Sequence, residues 1–133
     1  MMNSQPRLDA PRVALRSFGF KYGAPTDAHF VVDMRFLPNP FWVPELKPFN
    51  GRDARVRDYV LGQARAVEFL TCYAEMICDM TERYRRKGKD ELMVAVGCTG
   101  GKHRSVVASE FLVMLLVERG LQASAAHRDL GLE

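Results

Sequence analysis

The sequence predicts one small α/β domain: a mostly parallel sheet flanked by helices, with a phosphate-binding loop between a strand and a helix. Three observations lead there. Apolar runs of strand length alternate with a long stretch of helical periodicity. The run Leu92–Val96 passes straight into Gly97-Cys98-Thr99-Gly100-Gly101-Lys102-His103-Arg104-Ser105, a basic, glycine-rich segment that opens a helix. Finally, 133 residues with 47% hydrophobic and 26% charged content suit a single packed core rather than a disordered chain.

Each element has its own signal. Residues 1–11 are polar and interrupted by proline, and Val13–Phe18 reads as a first strand ending at Gly19. Residues 1–16 are therefore taken as an N-terminal extension running into the first strand, and 12–130 as a single α/β domain. Gly23, Pro25 and Asp27 signal a turn before a second strand at Ala28–Asp33, whose near-continuous apolar run predicts burial on both faces. Pro38, Pro40, Pro44 and Pro48 exclude a helix or central strand from Phe36 to Gly51, and Trp42 makes that long loop a candidate for an ordered, functional one. Ala66, Phe69, Leu70, Tyr73, Ile77, Met80 and Tyr84 recur at helical spacing, with a stop near Gly88. Leu92–Val96 is a buried third strand. Val106, Val107, Phe111, Leu115 and Leu116 mark a second helix closed by Arg119-Gly120, and Gln122–Ala126 a last short strand.

Composition narrows the function. The longest apolar run, Phe111–Val117, is far short of the roughly 20 residues that span a membrane, and Met1–Pro11 has no apolar stretch typical of a signal peptide. A cytoplasmic location with three free thiols is the expectation, because Cys72 and Cys78 lie in a helical pattern rather than in metal-ligand spacing. No metal or cofactor is implied. A net charge of +3 is too small to argue for nucleic acid by itself.

In parallel sheets ligands collect beyond the carboxyl ends of the strands. Three predicted strand ends carry polar groups: Lys21 and Tyr22, Asp33 and Arg35, and Cys98 to Arg104. They are expected to line one crevice. The glycine loop supplies what an anion needs: backbone N–H groups and the helix dipole, close approach at Gly100 and Gly101, hydroxyls of Thr99 and Ser105, and the charges of Lys102, His103 and Arg104. The Walker A pattern does not match. The segment does fit Cys-x-x-Gly-x-x-Arg-Ser, which resembles the cysteine-dependent phosphatase signature. In that alternative Cys98 attacks phosphorus, Arg104 holds the phosphoryl oxygens and Ser105 eases departure of the thiolate, with Asp33, Glu45 or Asp90 as the acid.

A wider resemblance extends from Ser17 to Leu130. Ser17-Phe18-Gly19-Phe20-Lys21-Tyr22-Gly23, Asp33-Met34-Arg35-Phe36-Leu37-Pro38-Asn39-Pro40, Arg57-Asp58-Tyr59-Val60, Gly97 to Val106 and His127-Arg128-Asp129-Leu130 resemble the C-terminal domain of the RapZ/YvcJ family. The resemblance implies a bacterial cytoplasmic sensor or adaptor that binds a phosphorylated amino sugar, glucosamine 6-phosphate. It also implies a small RNA or a protein as partner, and self-association into a homo-oligomer. The ligand pocket of the family falls here on Thr99, Gly100, His103 and Arg104. Asp33 and Arg35 are expected to complete it. The family's Walker-type nucleotide domain has no counterpart in this sequence, so ATP or GTP binding is not carried over. Phe41 stands where enterobacterial members place a pocket histidine, and their basic tail is not seen.

Other residues are read more plainly. Arg83, Arg85, Arg86, Lys87 and Lys89 form a solvated helix end first and an RNA surface second, with Arg128 and Lys102 as another basic patch. His29 reads as a structural histidine inside the second strand. Phe41 and Trp42 are either a cap on the core or a wall of the pocket.

Overall fold

The structure, a computed structural model, describes residues 11–132; the polar extension expected ahead of the first strand falls almost wholly outside them. Four strands form one sheet: β1 (Arg12–Gly19), β2 (Phe30–Asp33), β3 (Glu91–Cys98) and β4 (Gln122–His127). Every pairing is parallel and the spatial order is β2-β3-β1-β4. Among the described residues three α-helices complete the fold, α1 (Ala54–Leu61), α2 (Ala66–Arg86) and α3 (Arg104–Glu118), with short 3-10 turns at Phe20–Tyr22 and Pro40–Trp42. Among the described residues no helix is long and apolar enough to cross a membrane.

The core follows from period-two alternation in the strands. Val13, Leu15, Val32, Leu92, Val94 and Val96 share one cluster with Val56 and Val60 of α1, Leu70 and Ile77 of α2, and Leu112 and Leu116 of α3. Arg16, on the alternate side of β1, pairs with Asp27 at 3.3 Å, so the connection 20–29, which opens with a 3-10 turn at Phe20–Tyr22, is tied back to the strand it leaves.

Three expectations change. The second strand is shorter than Ala28–Asp33 and is not buried on both faces: β2 is an edge strand, with Val31 44% exposed. Apolar content alone does not separate a central strand from an edge strand. His29 precedes β2, where its Nδ1 accepts the Met93 N–H at 2.9 Å; its role is structural although it is exposed. Phe69 is not core either, being 41% exposed and set edge-on to Phe36 with centroids 4.8 Å apart.

Helix α1 was not anticipated. Its signal is short: Asp53 caps it, accepting the Arg55 N–H at 2.9 Å, and Val56 and Val60 are its buried residues, four apart. The three arginines at the basic end of α2 are each in a local ion pair, though they share only two carboxylates. Arg83 pairs with Asp79 at 2.9 Å, and Glu82 receives both Arg85 and Arg86. The short reach from Arg86 to the start of β3 at Glu91 puts this cluster at the amino ends of the strands, away from the glycine loop.

Leu112 is fully buried in α3, whereas Met76 is 47% exposed on α2. Leu112→Ala should cost about 2–5 kcal/mol and Met76→Ala no more than about 0.5 kcal/mol. Thermal unfolding of the two variants measures both, and equal losses would contradict this placement of the core.

Candidate functional site

The glycine loop leaves β3 at the carboxyl edge of the sheet and enters α3 at Arg104. Its path is set by close backbone packing. A Cβ on Gly19 would lie 2.5 Å from the carbonyl carbon of Gly100, and one on Gly101 would lie 2.6 Å from the nitrogen of Gly19. Gly101 also has φ +73°, in the left-handed region that favours glycine. The end of β4 fixes this crossing. Asp129, 3% exposed, accepts the Gly19 N–H at 2.7 Å and is paired with Arg128 at 2.7 Å. Burial raises the Asp129 carboxyl, but the hydrogen bonds from Arg128 and Gly19 outweigh it, so the group sits below the usual carboxylate range.

Arg104 is 4% exposed although it is the first residue of α3. Its Nη1 donates to the carbonyls of Arg35 at 3.0 Å and Leu37 at 2.8 Å, and Nη2 reaches Thr99 Oγ1 at 3.4 Å. These contacts tie the proline-rich loop to the end of β3. Its buried Nε has no partner, and neither does Nε2 of His103, which is also 4% exposed. Burial pulls the Arg104 guanidinium down from its ordinary value, opposed by Cys98 and Asp33. Burial likewise lowers the His103 pKa from its ordinary 6.5, helped by the charges of Lys102 and Arg104 and opposed by the backbone of Phe49 and Lys47. His103, the residue before α3, gives no side-chain cap to the first turn.

A cleft of about 200 Å³ opens over this loop. Thr99, Gly100, Lys102, His103 and Arg104 line it, as do Lys21, Cys98, Asn39, Phe41 and Trp42. Lys102 Nζ donates to the Lys47 carbonyl at 3.0 Å, and the Gly51 N–H donates to the Lys102 carbonyl at 2.8 Å, so Lys102 ties the proline-rich loop to the glycine loop in addition to Arg104.

The sequence-predicted residues separate into groups here. Thr99, Gly100, Lys102, His103 and Arg104 share the cleft wall. Gly101 packs beneath it, and Ser105, fully buried, faces Cys98 with Oγ and Sγ 3.1 Å apart. Asp33 and Arg35 bind each other at 2.7 Å, with the Arg35 guanidinium 3.7 Å from the Phe20 ring centroid. Arg35 reaches the site through its carbonyl rather than its side chain, and its guanidinium holds the Asp33 carboxyl below its ordinary value. Asp90 begins the approach to β3, where its carbonyl accepts the Arg12 N–H at 2.9 Å, at the wrong end of the strand to protonate anything in the cleft. Arg128 is committed to Asp129 and the Gly23 carbonyl, 2.7 Å away. Phe41 and Trp42 are wall, not core: Trp42 is 77% exposed. Asn39 and the anchoring carbonyls of Leu37 and Lys47 were missed. The Asn-Pro pair at 39–40 was a usable signal for Asn39, a cap followed by proline; the carbonyls carry no sequence signal.

The fold and the cleft define a parallel α/β domain with a cleft at the carboxyl edge of its sheet, over a strand-to-helix turn, the edge at which sheets of this class commonly hold ligands. More particularly, the chain belongs to the RapZ C-terminal domain family, whose model matches residues 11–131. It is 57% identical over 122 residues to the nucleotide-binding protein SCO1952 of Streptomyces coelicolor, covering 92% of this chain and 41% of that protein. It is 56% identical over 123 residues to a nucleotide-binding protein of Clavibacter michiganensis, covering 92% and 42%. The chain thus spans about 40% of the length of the curated relatives it matches.

His103 gives a pH prediction. Its pKa is lowered in the fold, so the unfolded chain takes up the proton first, and stability falls as pH drops below about 6.5. Between pH 7 and 5.5 the melting temperature of wild type should fall more than that of His103→Gln. Parallel curves would show that His103 is not held neutral. Asp33 and Asp129, with lowered pKa values, contribute their own losses at lower pH.

Proposed function

We propose that this domain is a sensor or adaptor that binds a phosphorylated small molecule, most closely a phosphosugar such as glucosamine 6-phosphate, over Thr99–Arg104. The observation that carries the reading is the buried, under-neutralised positive charge. Arg104 is desolvated at the positive end of its own helix, it donates to two carbonyls and a hydroxyl with the Cys98 side chain and the Arg35-bound carboxylate of Asp33 also acting on it, and it and His103 each keep a buried, unpartnered nitrogen. Such a group is costly unless a negative charge joins it, and a phosphate placed there meets the guanidinium, the imidazole and the helix dipole together.

Size supports a small ligand. At about 200 Å³ the cleft is below the roughly 300–1,000 Å³ of common ligand sites. The relatives' name, nucleotide-binding, belongs to proteins of which this chain covers about 40%. The adaptor half of the proposal, with RNA or protein as partner and self-association, rests on family membership. The basic end of α2 lies away from the cleft, and its three arginines share two carboxylates, Asp79 and Glu82, so any RNA surface there would be separate from the phosphate site.

The Cys98-dependent phosphatase is the second reading. Cys98 does line the cleft with Ser105 at its sulfur. Against it, Asp33 is bound by Arg35, which holds its carboxyl below its ordinary value and so without the proton a leaving oxygen needs, and Asp90 lies at the far end of β3. Phosphate release from a sugar phosphate, abolished in Cys98→Ser, would establish this reading over a sensor.

Thermal unfolding with glucosamine 6-phosphate, glucosamine and inorganic phosphate tests the proposal. A ligand at 100 times its dissociation constant adds about 2.7 kcal/mol of stability. The phosphorylated sugar should raise the melting temperature of wild type, glucosamine should not, and Thr99→Ala/Lys102→Ala should lose most of the shift. No stabilisation by any phosphorylated compound would sink the phosphate site.

A further inference from the structure

The wall opposite the glycine loop is built around an aromatic pair that the phosphate site alone does not require. Trp42 is 77% exposed, yet it sits in a well-fixed turn. Pro40 is buried, Asn39 Oδ1 accepts the Phe41 N–H at 3.1 Å, and the Trp42 and Val43 N–H groups donate to Asn39 and Pro40 at 3.1 and 2.9 Å. The Phe41 and Trp42 rings meet edge-on, 5.0 Å between centroids at 89°, and Lys47 Nζ lies 4.4 Å from the Phe41 centroid. The carbonyl of that same Lys47 holds Lys102 of the glycine loop. A large apolar ring is therefore held out of the core, braced by its neighbours, on the rim of a cleft whose other side is cationic.

We propose that Trp42, braced by Phe41, is the specificity-determining residue of this site, packing against the apolar face of a single sugar ring whose phosphate lies on the glycine loop. The inference rests on the phosphate site proposed above. A flat aromatic face opposite a few charged donors is the arrangement that orients a ligand with one apolar side and a polar rim. The small volume admits one ring with its phosphate, and the added base of a nucleotide would project beyond the wall. Lys21 and Asn39 also line the cleft and add polar groups to its rim.

Trp42 is the chain's one tryptophan, so intrinsic fluorescence reports this contact directly. Wild type, Trp42→Ala and Trp42→Phe would be titrated with glucosamine 6-phosphate, inorganic phosphate and adenosine monophosphate, following affinity by calorimetry and wild-type emission in parallel. Glucosamine 6-phosphate should blue-shift or quench the emission where inorganic phosphate does not. The preference for the sugar phosphate over inorganic phosphate should fall at least fivefold in Trp42→Ala and recover in Trp42→Phe. Binding of both phosphates with silent emission and an unchanged preference in Trp42→Ala would overturn the role of Trp42 while leaving the phosphate site standing. A tighter fit for adenosine monophosphate would overturn the choice of a sugar ring. Binding of none of the three would remove the phosphate site, and this inference with it.

Discussion

A guanidinium buried at the wrong end of a helix is the constraint on which the rest of this structure turns. Arg104 joins three segments that are distant in sequence: the start of α3, the end of β3 through Thr99, and the proline-rich loop through the carbonyls of Arg35 and Leu37. Neutral carbonyls solvate a cation without cancelling it, so the loop is fixed in place while the charge remains. One residue thereby makes both the wall of the cleft and the field inside it. Replacing it would alter the fold and the site together, which is why the ligand tests above are better made on Thr99, Lys102 and Trp42.

Beneath that charge lies a second constraint, one of space. Gly19 and Gly101 cross at distances that leave no room for a Cβ, and Asp129 holds the crossing from the end of β4. The loop is consequently supported by β1, β3 and β4, the three strands that meet at the sheet's centre and one edge. A ligand arriving there would meet a preorganised backbone.

Legibility in the sequence followed the strength of each local signal. The helical stripe from Ala66 and the apolar run from Leu92 specify their elements with little help, and both formed where expected. The glycine loop was legible because glycines, a cation cluster and hydroxyls stand in one short segment. Helix α1 was not, since an eight-residue helix has few periodic positions and its cap, Asp53, follows a run of prolines that reads as loop. The second strand was misjudged for a different reason: Phe30-Val31-Val32 reads the same whether a strand is central or at the edge, and only the spatial order decides.

The sequence by itself determined the α/β class, the place of the glycine loop between a strand and a helix, and the chemical types gathered in it, because these depend on periodicity and on residues adjacent in the chain. The tertiary structure decided which of those residues share a wall. It turned Asp33 and Arg35 toward each other, placed Asp90 at the far end of β3, buried Ser105 against Cys98, and brought the carbonyls of Leu37 and Lys47 and the ring of Trp42 to the loop. Those outcomes depend on strand order and on backbone carbonyls that every residue carries alike, and neither is written in the identity of a side chain.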